Sequence, residues 1–260
     1  MNSDDITAEF ENAIEKALNQ FEQRLRQQQL FQVQNDLLKE LQKEVVSIGF
    51  CNSEDIKNLS EQYQVFYIQL KESGRSYENI VAEKNLVDTY SAFEKLLFDC
   101  YFSIYQFFPK FLGSEVKVST LDLFIDSNMD ICKQNIIESQ VKDFIQKNNI
   151  IDILNGFKKL FDIKKLIISQ NELNLFYEIG LVRNLVIHNN GIVNRVYKEG
   201  ARKFLQNKEK YPFNEGETVL NKLEDIVQNI KDLSTKTSKY ITETIINDSK
   251  RLNLTHENKS

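Results

Sequence analysis

Turn-forming residues are scarce in this chain: 8 glycines and 2 prolines in 260 residues. That excludes a fold built from many tight turns, such as a sandwich or barrel of short strands. Cysteine is almost as rare. Cys51, Cys100 and Cys132 are odd in number, far apart and not at metal-ligand spacing, which excludes a disulfide framework and a cysteine-bound metal. They read as reduced, buried thiols of a cytoplasmic protein. No apolar run reaches the roughly 18 residues of a membrane span. The N-terminal MNSDDITAEF is acidic and has no apolar signal core, so no secretory leader and no membrane are expected. The formal net charge of -5 gives no general attraction to nucleic acid, so any such surface must be local.

What is present is helical patterning. Apolar residues make up 41% of the chain and recur at steps of three and four, which predicts an all-α protein with a real core. Residues 4–47 read as one long helix with its stripe on Phe10, Ile14, Ala17, Phe21 and Leu25, then Leu30, Val33, Leu37, Leu41, Val45 and Ile48. The glutamines at 27–29 shift the register as a coiled-coil stutter does. A second helix over 54–72 would complete an αα-hairpin, making 1–75 an N-terminal arm. It serves either as a partner-binding or dimerising arm or as a lid on the main domain. Ser73, Gly74 and Arg75 mark the boundary.

Ser76 caps a helix reaching Phe108 that is dense in aromatics on more than one face. Such a ladder can stack bases. With no basic residue between Lys95 and Lys110, it is expected in the core. Residues 114–126 are ambiguous, and Ser127 with Asp130 reads as a cap for a helix from about 128. Further short helices are expected over 139–147 and 149–162, and a last helix over 216–247. The main domain then spans 76–250, and 251–260 is a tail expected to fray.

Ser169 and Glu172 form a capping box that opens the helix of greatest interest, which ends in RNLVIHNNG, Arg183–Gly191. Leu173, Phe176, Tyr177, Gly180 and Leu181 make an apolar stripe that Asn184 and His188 continue, while Leu175, Ile179, Val182 and Val186 line another side. A helix apolar on two sides is expected to bury both, one in the core and one against a partner. Arg183 keeps its charge and needs an anion or carboxylate. Asn190-Gly191 fits a C-cap. The chemistry suits phosphoryl transfer. Arg183 can grip a phosphate and stabilise added negative charge. His188 can move the proton of a ribose 2′-OH or of the leaving oxygen, since histidine as a residue type titrates near neutrality. Asn184 can orient either. No acidic cluster accompanies them, so neither metal nor cofactor is expected. A single histidine does not readily serve as both acid and base, but two motifs across a two-fold axis supply both.

The order Arg183, Asn184, then His188 resembles the R-x4-6-H signature of the HEPN superfamily, in which Asn, Asp or His commonly follows the arginine. The surrounding NELNLFYEIGLVRNLVIHNNGIVNRVY is similar to the signature helix of HEPN proteins from bacterial defence and toxin systems. The resemblance covers about residues 76–247. It implies a HEPN-like helical bundle acting as a dimeric, metal-independent endoribonuclease, with RNA such as tRNA as substrate and an antitoxin or defence protein as partner. The alternative is an inactive scaffold that dimerises and recruits a partner or nucleotide. HEPN toxins controlled by nucleotidyltransferase antitoxins often carry a tyrosine two residues after the histidine. Asn190 stands there, which speaks against that form of control. Beyond Gly191 the chain becomes basic: Arg195, Lys198, Arg202, Lys203, Lys208 and Lys210 face only Glu199 and Glu209. Arg195, Lys198, Arg202 and Lys203 are the candidate track for an RNA backbone, against the reading of a solvated helix face.

Overall fold

The computed structural model describes residues 3–48, 75–112, 129–160, 168–206 and 209–257, with positions 65, 68 and 72. Within them the chain is an all-α bundle. Its helices are α1 (Ser3–Ile48), α2 (Tyr77–Phe107), α3 (Met129–Lys147), α4 (Ile150–Leu160), α5 (Gln170–Asn189), α6 (Arg195–Leu205) and α7 (Leu223–Glu257). Among the described residues the only β pairing outside helices is one isolated bridge, Ile192 to Thr218.

The aromatic helix α2 is central and lies against α1, α3, α5 and α7. Its rings are spent on packing. Phe93 stacks on Phe176 of α5 with centroids 5.1 Å apart, and Tyr101 gives its hydroxyl to the Ile153 carbonyl at 2.6 Å. Ser76 caps α2 by accepting from the Asn79 amide, as its position predicts.

The N-terminal half of α1 is part of this core. Phe10, Ile14, Ala17 and Phe21, at steps of four, three and four, are all buried. Phe10 meets Phe107 and Phe108 edge-on at 5.6 and 5.0 Å, and Phe21 meets Phe93 at 6.1 Å. The core therefore does not divide at residue 75. Past the glutamines the helix continues without a break, but its stripe leaves the bundle: Leu30, Val33 and Leu37 are exposed. The register shift at 27–29 marks that departure, and Gln28 itself accepts from the Thr89 hydroxyl at 2.9 Å. Of the hairpin partner expected over 54–72 only positions 65, 68 and 72 are described, each helical and exposed, and the ambiguous 114–126 and Ser127 lie outside the described residues.

Three boundaries differ from the pattern-based expectation. Residues 129–147 form one helix, because nothing between them breaks the backbone ladder. Asn149 then caps α4 by accepting from the Ile151 and Asp152 amides. The last helix starts at Leu223 instead of 216, since Gly216 takes a positive φ of 85° and the residues after it pair with the segment following the motif. It runs on to Glu257, into the tail expected to fray. No helix among the described residues is long and apolar enough to cross a membrane.

Candidate active site

Helix α5 is fixed at both ends by its own sequence. At the start, the Ser169 side chain accepts from the Glu172 amide and the Glu172 carboxylate accepts from the Ser169 amide, the expected capping box. At the end, Asn190 and Gly191 turn left-handed with φ of 51° and 72°, and both amides close on the Leu185 carbonyl. The exit is then clamped. Val219 donates to the Gly191 carbonyl, Val193 to Glu217, and Gly216 to Val193, all within 2.8–2.9 Å.

Between these ends the helix buries Leu173, Phe176, Ile179, Val182, Leu185 and Val186. The second apolar side behaves differently along its length. Tyr177, Gly180 and Leu181 are half-buried, and Asn184 and His188 are exposed. The stripe that carries the motif thus opens to solvent as it reaches the motif.

Arg183 is half-buried and turned toward α2. Its Nη1 donates to Asn184 Oδ1 at 3.1 Å, its Nη2 is 4.0 Å from Glu94 Oε2, and its guanidinium lies 5.8 Å from the centre of the Tyr90 ring. Its Nε–H is shut away from solvent without an acceptor among the described residues. A buried donor left unpaired costs about 1–3 kcal/mol, so the arrangement favours an incoming acceptor. Burial pushes the Glu94 carboxyl up and Arg183 pulls it down, with burial the larger effect. Arg183 and Asn184 line a groove of about 580 Å³ with Tyr90, Glu94, Tyr177 and the α3–α4 link.

His188 is not among the residues lining that groove. It sits one turn beyond Asn184, exposed, and its imidazole has no side-chain partner among the described residues. At about 100° per residue it stands roughly 140° around the helix from Arg183. The fold therefore joins Arg183 to Asn184 directly and leaves His188 outside that contact. In the same stretch of chain Ile187, Ile192 and Val196 are exposed apolar side chains, at 42%, 46% and 73%.

Motif reading missed three of the side chains that shape this region. Tyr90 and Glu94 are one turn apart on α2, an acid within an aromatic run, and only the packing of α2 on α5 shows that they face Arg183. Glu178 is the third. It is 1% exposed on α5 and accepts from the Lys210 and Tyr211 amides at 2.8 and 2.7 Å, holding the loop after α6 to the motif helix. Burial, despite those two bonds, raises its carboxyl above the usual range. A raised folded pKa means the folded state holds the proton more tightly. Its contribution to stability is complete below the unfolded value near 4.5 and declines as pH rises through the raised value. Urea unfolding midpoints should therefore fall with rising pH across that window, and Glu178→Gln should flatten the fall.

On α6, Tyr197, Ala201 and Leu205 are buried, while Arg195, Arg202 and Lys203 are exposed. Arg195 pairs with Glu199 at 2.6 Å, and Lys203 lies over the Phe204 ring at 5.0 Å. Arg202 has no ion-pair partner among the described residues. Lys198 is committed internally: its ammonium donates to the Phe213 carbonyl at 2.8 Å. Lys208 and Cys51 lie outside the described residues, and Cys100 and Cys132 are buried and not joined in a disulfide. Among the described residues no group of three or more His, Cys, Asp or Glu is placed to hold a metal. No family model, no curated protein and no solved structure matches this chain.

Proposed function

We propose that the chain is a HEPN-type, metal-independent endoribonuclease that works as a homodimer through the α5–α6 face, in a defence or toxin–antitoxin system. The observation that carries this reading is the state of His188. The imidazole is exposed and bonds to no described residue, and Ile187, Ile192 and Val196 nearby in the chain are exposed apolar side chains of the kind that a second copy would cover. In the proposed reaction, one imidazole takes the proton of a ribose 2′-OH. The 2′-oxygen attacks the adjacent phosphorus, the P–O5′ bond breaks, and the partner copy's imidazole protonates the leaving oxygen. Arg183, steadied by Asn184 and Glu94, neutralises the added charge on the phosphorane oxygens. The products are a 2′,3′-cyclic phosphate and a 5′-hydroxyl. Purified protein incubated with total RNA, with and without EDTA, tests the reading: cutting should be equal in both.

One observation favours the alternative of an inactive scaffold. Arg183 is already engaged by Tyr90, Asn184 and Glu94, as a residue holding structure or binding a nucleotide would be. That reading expects no RNA cleavage in either buffer.

The exposed cations of α6 are proposed to carry RNA backbone. Reversing Arg202 and Lys203 to glutamate should weaken RNA binding and lower the slope of log affinity against log salt by about 0.7 per lost single-strand contact. Filter binding at several salt concentrations measures it. Unchanged affinity and slope would leave α6 a solvated helix face.

A further inference from the structure

The groove beside Arg183 is shaped for more than a phosphate. It lies within one subunit, between α2, the α3–α4 link and α5, and its volume of about 580 Å³ is in the range of small-molecule pockets, roughly 300–1,000 Å³. Two polar groups in it bond to no described residue. Tyr90 is 7% exposed and lines the groove, yet its hydroxyl has no hydrogen-bond partner among the described residues. The hydroxyl is thus a donor not committed to any described residue, beside the Arg183 Nε–H that is shut away without an acceptor among the described residues. Burial, then Glu94, pushes the Tyr90 phenol up, which keeps its proton in place for donation. Asn148, at the other wall, spends its Nδ2 on the Phe144 carbonyl at 2.7 Å, leaving its Oδ1 as an acceptor without a partner among the described residues.

The glycine in the floor supports the same reading. A Cβ at Gly180 would stand 2.7 Å from the Tyr90 hydroxyl oxygen, so the absence of a side chain there is what lets the phenol reach over α5. Tyr177, one turn earlier, packs one side on Phe204 with centroids 4.6 Å apart and borders the groove. The groove thus brings together a guanidinium, a phenol donor, an aromatic ring and an amide acceptor. Those are the groups that bind a phosphate and a nucleobase.

We propose that this groove is a nucleotide subsite: it holds one nucleotide unit of the RNA, its phosphate on Arg183 and the Tyr90 hydroxyl, its base along Tyr177 with an amino edge toward Asn148. The inference rests on the nuclease reading for its substrate class but is carried by groups outside the motif. Tyr90 binds the phosphate without taking part in proton transfer, so removing its hydroxyl should lower kcat/KM, with KM raised, and leave the shape of the pH–rate profile unchanged.

The test uses full-length wild-type and Tyr90→Phe protein, which differ by one hydroxyl that bonds to no described residue. Each is titrated calorimetrically with adenosine 3′-monophosphate, uridine 3′-monophosphate and inorganic phosphate, and assayed on a short single-stranded oligoribonucleotide. Wild type should bind at least one mononucleotide more tightly than phosphate. Tyr90→Phe should weaken that binding about tenfold, raise KM by a similar factor, and melt within about a degree of wild type. Mononucleotide affinity unchanged in Tyr90→Phe, or no preference over phosphate, overturns the subsite. The two readings fail separately. Mononucleotide binding that depends on Tyr90 in a protein that cuts no RNA keeps the subsite and removes the nuclease. RNA cutting with kinetics and mononucleotide affinity unaffected by Tyr90→Phe keeps the nuclease and removes the subsite.

Discussion

His188→Ala should abolish RNA cleavage while leaving the bundle as stable as before. A positioned general acid or base contributes about 10²- to 10⁴-fold, so the residual rate on an oligoribonucleotide should fall by at least that range. The stability half of the expectation comes from the structure. The imidazole is exposed and bonds to no described residue, and such surface substitutions shift stability by no more than about 0.5 kcal/mol. The combination separates catalysis from architecture. Parallel measurement of cleavage rate and urea midpoint checks it, and undiminished cutting would remove His188 from the mechanism.

Arg183→Lys should lower cleavage by about 10²- to 10³-fold, the usual cost of losing one oriented donor for transition-state charge. Lysine keeps the positive charge but not the planar fork, so it cannot serve Asn184 and a phosphate together. The change should cost little stability, about 1 kcal/mol, because the Glu94 contact is at the outer limit of an ion pair and the Tyr90 contact is a cation–π one. A loss of folding without a separate loss of turnover would show that Arg183 holds the helices together instead. Single-turnover cleavage alongside thermal unfolding distinguishes the two.

How much of this was legible in advance depended on whether each signal was local. The Ser169–Glu172 box and the Asn190-Gly191 stop are short-range backbone chemistry, and both are found where the residues place them. The aromatic density of α2 likewise reads as a core helix because so many rings on several faces need neighbours. The start of α7 was not legible, because residues 216–219 are diverted into pairing with 191–193, a contact between distant segments. The role of α1 was half legible. Its stripe is visible throughout, but only the fold shows that Phe10–Phe21 enter the main core while Leu30–Leu37 do not.

The site divides in the same way. The motif residues were found by spacing along one helix, and spacing cannot show what faces them from another. Tyr90 and Glu94 meet Arg183 across α2 and α5, and Glu178 meets the amides of 210 and 211 across a loop. Neither pairing has a period to betray it. The basic segment reads as one track, yet Lys198 is held on the Phe213 carbonyl while Arg202 and Lys203 are exposed.

Cleavage by Arg183 and His188 through attack of the RNA's own 2′-oxygen would leave defined fragment ends. Mass spectrometry of fragment ends tests this most directly, on a defined single-stranded RNA treated with the purified protein in EDTA. The expected fragments carry 2′,3′-cyclic phosphate and 5′-hydroxyl ends. Fragments ending in 3′-hydroxyl and 5′-phosphate, or no fragments at all, would contradict it.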